Sequence, residues 1–134
     1  VIAPSGDPPA DTDSPPNDAS LVLLVHTRGV SILLMADEEQ PSQRRLHQEL
    51  PALHVDVLKV AHHGSARQDP DLIGGLGARL AMISVGVDND YGHPADSTLK
   101  LLRRWGMMVK RTSVDGDIVV SVDGGGHLRV RSAR

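Results

Sequence analysis

Residues 55–65 (VDVLKVAHHGS) constrain the fold of this chain most strongly. An apolar run rich in β-branched residues ends there in two histidines, a glycine and a serine. β-branched side chains favour a strand, and glycine permits the sharp turn that ends it. His62 and His63 are therefore predicted at a strand end, where α/β sheets hold functional loops in place. Two exposed turn histidines are the alternative when this segment is considered alone.

Two other polar side chains follow apolar runs in a similar way. Asp37 comes after the run at residues 29–35, and His93 lies in the loop after the run at residues 79–86. The predicted strand positions direct Asp37 towards the place where His62 and His63 emerge. For His93 the structural alternative is an N-cap-like residue before the helical proline that follows it.

The pattern of apolar residues predicts an α/β layer with two sheets and helices outside. A hairpin is expected first, with both arms buried on two faces because nearly every position is apolar. Glu38 and Glu39 are interpreted as acidic residues that favour the start of the next helix. The predicted strands cover residues 20–26, 29–35, 55–61, 79–86, 107–112, 117–122 and 127–130, and the predicted helices cover residues 41–50, 69–73 and 94–105.

Residues 1–19 form a separate segment rich in proline, which lacks a donor for a strand ladder and disfavours a helix interior. This segment is predicted to be a mobile loop without helix or strand, and residues 20–134 to be one domain. The start at Val1 rather than methionine is a hint that the chain was cut from a longer protein, although processing would give the same start.

Composition excludes several classes of function. Without cysteine, neither a disulfide framework nor a cysteine-ligated zinc site is possible. The formal net charge of −3 gives no global field for a polyanion, so any affinity for nucleic acid must be local. No apolar run approaches the roughly 18 residues that cross a bilayer.

Five short segments, in this order and spacing, resemble the C-terminal half of the metallo-β-lactamase-like domain of the ComEC family of DNA-uptake proteins. The LKVxHHGS and NxYGHP signatures are specific together, and either alone is weak. The segments are residues 33–37 (LLMAD), 56–65 (DVLKVAHHGS), 83–86 (ISVG), 89–94 (NDYGHP) and 111–116, which contain Arg-Thr and Asp-Gly.

The resemblance implies part of a four-layer αββα sandwich whose metal ligands gather at strand ends. In that fold the N-terminal half supplies an HxHxDH or HxDxDH cluster, and this sequence contains no such spacing. The partners implied are DNA, that N-terminal half and a membrane channel. The implied location is an extracytoplasmic domain of a bacterial membrane protein, in a segment outside the bilayer.

The resemblance also implies roles for individual residues. Asp37 resembles the aspartate that bridges two metal ions, although the family usually has glycine where this chain has Ala36. Either His62 or His63 resembles the next metal ligand, and His63 is favoured because a small residue and serine follow it. The implied cofactor is a divalent metal, zinc or manganese, and one aspartate with one histidine should bind it weakly in this chain alone.

Three further residues complete the expected site. His93 resembles a histidine near the scissile phosphate and is a candidate proton donor. Ser65 and Asn89 could donate hydrogen bonds to a substrate, although a turn-forming role is the simpler interpretation of Ser65.

Three functions remain open from the sequence. The first is a metal-dependent phosphodiesterase that acts on the DNA strand that is not taken up. The second is hydrolysis of a phosphorylcholine ester, and the third is a non-catalytic half-domain of a DNA transport channel. An upstream HxDxDH motif with hydrophobic spans would favour the first, choline-binding repeats the second, and an upstream half without ligands the third.

Overall fold

The computed structural model describes residues 1–7 and 12–134. Residues 8–11 of the predicted N-terminal loop lie outside the described residues. Of the described part of the chain, no helix is long and apolar enough to cross a bilayer. The elements are α1 (Pro15–Asp18), β1 (Leu23–Thr27), β2 (Val30–Leu34), α2 (Gln40–Glu49), β3 (Val57–Lys59), a 3₁₀ turn (Ala61–Gly64), α3 (Pro70–Gly75), β4 (Leu80–Ile83), α4 (Asp96–Arg104), β5 (Met108–Arg111), α5 (Thr112–Asp115), β6 (Ile118–Val122) and β7 (Leu128–Ser132).

Strands β1 to β5 form one mixed sheet in sequence order, and β6 pairs with β7 in a second, two-stranded sheet. β1 and β2 are antiparallel, whereas β2, β3, β4 and β5 run parallel to one another. The predicted α/β class, the first hairpin and the adjacent strands β3 and β4 are thus confirmed.

Each face of the five-stranded sheet contributes to a hydrophobic core. On one face, Leu33 and Leu58 pack with helical residues such as Leu46, Ile73 and Leu102. On the other face, apolar side chains of β6 and β7 pack against a small buried cluster. That cluster comprises Val30, Val57 and Leu80. The central strands β3 and β4 are therefore largely buried on both sides, which explains their apolar sequence, whereas Met108 of the edge strand β5 is 53% exposed.

Burial of both hairpin arms on two faces was a wrong prediction for β1. Val25 is 37% exposed, and His26 and Thr27 are exposed as well. β1 is the terminal strand of the sheet order, so only β2 pairs with it in this sheet. An apolar sequence indicates a strand but does not show whether that strand is central or at an edge.

The prediction that the proline-rich segment contains neither helix nor strand pairing was also wrong. Residues Pro15–Asp18 form α1, which begins with proline in its first turn, a position where the missing donor costs little. Ala3 forms an isolated bridge with Val22. Asp18 is 1% exposed and accepts a hydrogen bond from the Glu39 amide at 3.0 Å, so tertiary contacts hold this segment.

Candidate active site

The structure brings Asp37, His62, His63 and His93 together at the carboxyl ends of β2, β3 and β4. Asp37 Oδ1 lies 3.8 Å from His63 Nε2. The ring centroid of His62 lies 6.3 Å from that of His63 and 5.5 Å from that of His93. Four residues that the sequence suggested separately therefore form one site.

The backbone around this site is strained. Ala36, His62 and His63 have φ angles of 42°, 45° and 53°, in the left-handed region that costs a residue with a side chain about 1–2 kcal/mol. The amide of His62 donates to the Ala36 carbonyl at 2.9 Å, which joins the end of β3 to the end of β2. At Gly64, with φ of 82°, a Cβ would lie 2.7 Å from Pro94 Cβ, so only glycine fits. These left-handed residues form the turns that carry the rings of His62 and His63, and such strain is typical of functional sites.

Ala36→Gly is expected to stabilise this chain by about 1 kcal/mol, because glycine adopts the left-handed conformation without steric cost while adding some entropy to the unfolded chain. For a chain of this size, we expect the thermal midpoint to rise by about 4 °C. Ala52→Gly, at an exposed residue outside the left-handed region, is the control and should stabilise nothing. A lower midpoint for Ala36→Gly would contradict the assigned backbone conformation.

His63 is oriented as a metal ligand would be. Its Nδ1 lies 2.7 Å from the carbonyl oxygen of Ser84. Because a carbonyl oxygen only accepts, Nδ1 carries the proton and Nε2 keeps its lone pair in the neutral ring. That lone pair faces the side of Asp37, and both side chains are about half exposed. A histidine held by a carbonyl at one nitrogen is the usual arrangement of metal-binding imidazoles.

His62 has a different environment from its neighbour. Its Nδ1 is buried and lies 3.3 Å from Glu39 Oε1, without the alignment of a hydrogen bond. The predicted ambiguity between the two histidines therefore resolves into two geometries: His63 lies beside Asp37, and His62 lies beside Glu39 and His93.

His93 lines a cavity of about 300 Å³ that His63 also lines. The ring of His93 stacks on Tyr91, with centroids 6.2 Å apart. Burial, and then the neighbouring His62 and His63, lower the pKa of His93 below its usual value. The helix that follows has Ala95 at its N-cap, so His93 does not occupy the capping position.

Ser65 and Asn89, the candidate substrate-binding residues, have local partners. Ser65 is 4% exposed, and its hydroxyl accepts from the Arg67 amide at 3.3 Å. The Asn89 side chain donates to the His93 carbonyl at 2.5 Å and accepts from the Tyr91 amide at 3.0 Å. Both side chains therefore shape the turns that carry the site, and their contact with a substrate stays a prediction.

Sequence analysis missed the roles of Glu38 and Glu39. Both were interpreted only as acidic residues that favour the start of a helix. They are 1% and 5% exposed, and Glu39 makes no side-chain cap. Glu39 Oε2 accepts from Arg67 at 2.9 Å. Burial, together with the charge of Asp18, raises the pKa of Glu38 to about 8. Both residues directly follow Asp37 at the same strand end, and this position is the sequence signal that could have placed them near the site.

Glu38 should make this chain less stable as the pH rises. Its pKa is about 8 when folded and about 4.5 when unfolded, so between these values the folded state binds the extra proton. The free energy of unfolding therefore falls over this interval, by at most about 1.4 kcal/mol per pH unit. Glu38→Gln should flatten the dependence, whereas Glu49→Gln, at an exposed residue of α2, should not. Urea unfolding at pH 5 and pH 8 gives the free energy of unfolding at each pH. If this free energy changed with pH equally in Glu38→Gln and the parent, the raised pKa of Glu38 would be wrong.

A complete metal site is not formed by these residues alone. Within residues 1–7 and 12–134, no group of three or more His, Asp or Glu side chains is arranged to hold a metal ion. Asp37 and His63 nevertheless offer a carboxylate and an imidazole nitrogen on one side of the site, which are donors that zinc and manganese accept. These two residues fit part of a ligand set.

No protein-family model matches the chain. It is similar to ComE operon protein 3 of Bacillus subtilis, with 37% identity over 119 residues that cover 88% of this chain and 15% of that protein. It is 32% identical over 106 residues to Recombination protein 2 of Haemophilus influenzae, covering 78% of this chain and 13% of that protein. It is also 27% identical over 112 residues to Competence protein ComA of Neisseria gonorrhoeae, covering 82% of this chain and 16% of that protein.

The chain thus spans between 13% and 16% of the length of these curated relatives. The matched regions cover most of the chain in each case, which agrees with the resemblance carried by its signatures. The chain therefore belongs to the ComEC family of DNA-uptake proteins, of which it matches one segment.

Proposed function

We propose that this chain is the C-terminal half of a metal-dependent phosphodiesterase domain with the four-layer metallo-β-lactamase-like sandwich. The observation that carries this proposal is the geometry of His63. Its Nδ1 is held by the Ser84 carbonyl, and its Nε2 lies 3.8 Å from Asp37 Oδ1. A carboxylate and an imidazole nitrogen so placed on rigid strand ends suit a metal ion that acts on phosphate.

Asp37 and His63 would hold the metal, and the N-terminal half would supply the remaining ligands. When bound, zinc or manganese would lower the pKa of a water molecule and neutralise charge on the phosphodiester. The chain would orient the two donors. The carbonyl of Ser84 fixes the tautomer of His63, and the backbone hydrogen bond from His62 to Ala36 holds the turn after β3 against the end of β2.

His93 would bind a phosphate oxygen or donate the proton to the leaving oxygen. Its lowered pKa keeps the ring neutral near pH 7, when one nitrogen still donates a hydrogen bond. A bound phosphodiester anion would favour the protonated ring, because an opposite charge raises the pKa of histidine. Binding of the substrate would therefore favour a second proton on the ring of His93.

The proposed substrate is the DNA strand that is not taken up. With a net charge of −3, the chain needs local contacts for DNA, and the metal would provide the principal one. The proposed setting is an extracytoplasmic domain attached to a membrane channel.

A phosphorylcholine ester is the second candidate substrate. Asp88, Asp90 and Tyr91 line the same cavity as His63 and His93, and Tyr91 is 85% exposed. An aromatic face beside carboxylates suits a quaternary ammonium group. These acidic residues also oppose a polyanion, so the two substrates must be compared directly.

The test is hydrolysis by the full-length protein that contains both halves of the domain. Single-stranded DNA and a phosphorylcholine ester are compared with Mn²⁺, with Zn²⁺ and with EDTA. We expect cleavage of DNA that EDTA abolishes. Cleavage of the choline ester alone would favour the second candidate, and no metal-dependent cleavage of either would contradict the enzyme in favour of a non-catalytic half-domain.

A further inference from the structure

We propose that Glu39 is a positioning residue that fixes the tautomer and orientation of His62 beside His93. This inference rests on the proposed function, because it concerns the same site, and it assigns His62 a role away from the metal. His63 would bind the metal ion, whereas His62 would face the phosphate of the substrate.

Glu39 is held in place by polar contacts to its carboxylate and to its amide. Its carboxylate is 6% exposed, and Oε2 accepts from Arg67 Nη1 at 2.9 Å. Oε1 accepts from Asn17 at 3.4 Å. The Glu39 amide donates to the buried carboxylate of Asp18 at 3.0 Å. A buried carboxylate is costly unless it is paired. These contacts offset the cost of burying the Glu39 carboxylate and hold it in one position.

The buried Nδ1 of His62 lies close to the Glu39 carboxylate. Nδ1 is buried and forms no aligned hydrogen bond to any described residue, and Glu39 Oε1 lies 3.3 Å away. A carboxylate only accepts, so a proton on Nδ1 is the favoured state of the ring. In the neutral ring, Nε2 is then the free nitrogen, as in His63.

The part of the His62 ring away from Nδ1 is accessible and lies next to His93. The side chain is 27% exposed although Nδ1 is buried, so its exposed part is elsewhere on the ring. The ring meets His93 edge to face, at 5.5 Å between centroids. Glu39 and His93 thus flank His62, and small rotations of the ring would move Nε2 relative to a phosphate at His93.

A Glu39→Gln variant tests the proposal, because the amide keeps the size of the side chain and can donate a hydrogen bond to Nδ1. In the 134-residue chain labelled with ¹⁵N-histidine, we expect His62 to carry its proton on Nδ1. Glu39→Gln should shift it towards Nε2, and loss of one signal in His62→Gln assigns the residue. In the full-length protein, we expect Glu39→Gln to lower kcat for DNA hydrolysis by about 10 to 100-fold with unchanged metal content.

The matched control is Asp69→Asn, which alters another buried carboxylate that is 3% exposed and contacts an arginine, Arg44, at 3.6 Å. Asp69 caps α3, and among the described residues no hydrogen bond or ion pair joins it to a histidine, so Asp69→Asn should lower stability without changing kcat or the His62 tautomer. Glu39→Asp, which restores the charge, should recover part of the Nδ1 proton and of kcat.

The results separate this inference from the proposed function. An Nε2 proton on His62 in the parent chain, or the same tautomer in the parent and Glu39→Gln, would overturn the role of Glu39. If the full-length protein hydrolyses neither substrate while the tautomer shifts as expected, the positioning by Glu39 stands and the phosphodiesterase fails. If kcat fell as much in Asp69→Asn as in Glu39→Gln, the effect of Glu39 would be one of stability and the positioning role would be wrong.

Discussion

Asp37→Ala in the full-length protein is expected to reduce hydrolysis to the level measured in EDTA. The carboxylate of Asp37 is the one acidic ligand that this chain is proposed to give the metal, and it lies 3.8 Å from His63 Nε2. Its loss would remove a carboxylate donor for the metal, whose role when bound would be to activate a water molecule and to neutralise charge on the phosphate. His63→Ala should have nearly the same effect on turnover.

The measurement is the initial rate of single-stranded DNA cleavage, with bound metal determined in the same samples. Asp71→Ala, which removes an exposed aspartate in the first turn of α3, is the matched control and should retain full activity. Turnover near the parent rate in both Asp37→Ala and His63→Ala would mean that the phosphodiesterase site lies elsewhere.

His93→Asn is expected to lower turnover by about 10²–10⁴-fold, the range typical of a lost general acid. Asparagine cannot donate a proton as an imidazolium does, although it can form hydrogen bonds. The fold should tolerate the change, because the N-cap of α4 is Ala95 and the ring of His93 is partly exposed. The expected result is an unchanged thermal midpoint and metal content with a large loss of kcat.

Tyr91→Phe is the control for the stacked pair, since it keeps the aromatic face next to His93. We expect its turnover to stay close to that of the parent. Near-normal turnover of His93→Asn would return His93 to a structural role in the loop before α4.

The position of the site could be predicted because it depends on strand direction. An apolar run followed by Asp37 and another followed by His62 and His63 place polar side chains at carboxyl ends, and parallel strands bring such ends to one edge. Neither spacing nor residue type showed which histidine faces Asp37. That distinction arises from tertiary contacts, with the Ser84 carbonyl for one ring and Glu39 for the other.

Glu38 and Glu39 were misinterpreted because local charge rules favour acidic residues at a helix start, and burial is a tertiary property. The carboxylate of Glu39 is compensated by Arg67, which lies 28 residues away in the sequence. Helix α1 was missed for the same reason, because Asp18 is held by Glu39, the N-cap of α2, and by Ser42 on α2. Prolines excluded a long helix there but not one short turn.

The extent of β3 was overestimated. Residues 55–61 read as one strand, yet β3 covers only Val57–Lys59, and the 3₁₀ turn begins at Ala61. His62 and His63 adopt left-handed conformations in this turn. Histidine is enriched in that region, but few residues other than glycine occupy it, so residue type alone did not locate the turn. Strain of this kind at a predicted site agrees with a functional requirement on the backbone.

The decisive measurement is the location of a metal ion bound to this domain. Crystals of the protein that contains both halves of the domain, grown with Mn²⁺, would reveal the ion by anomalous diffraction. We expect a manganese ion in direct contact with the Asp37 carboxylate and His63 Nε2, with His62 outside the coordination sphere. A metal bound to His62, or no metal at Asp37 while the protein still cleaves DNA, would contradict it.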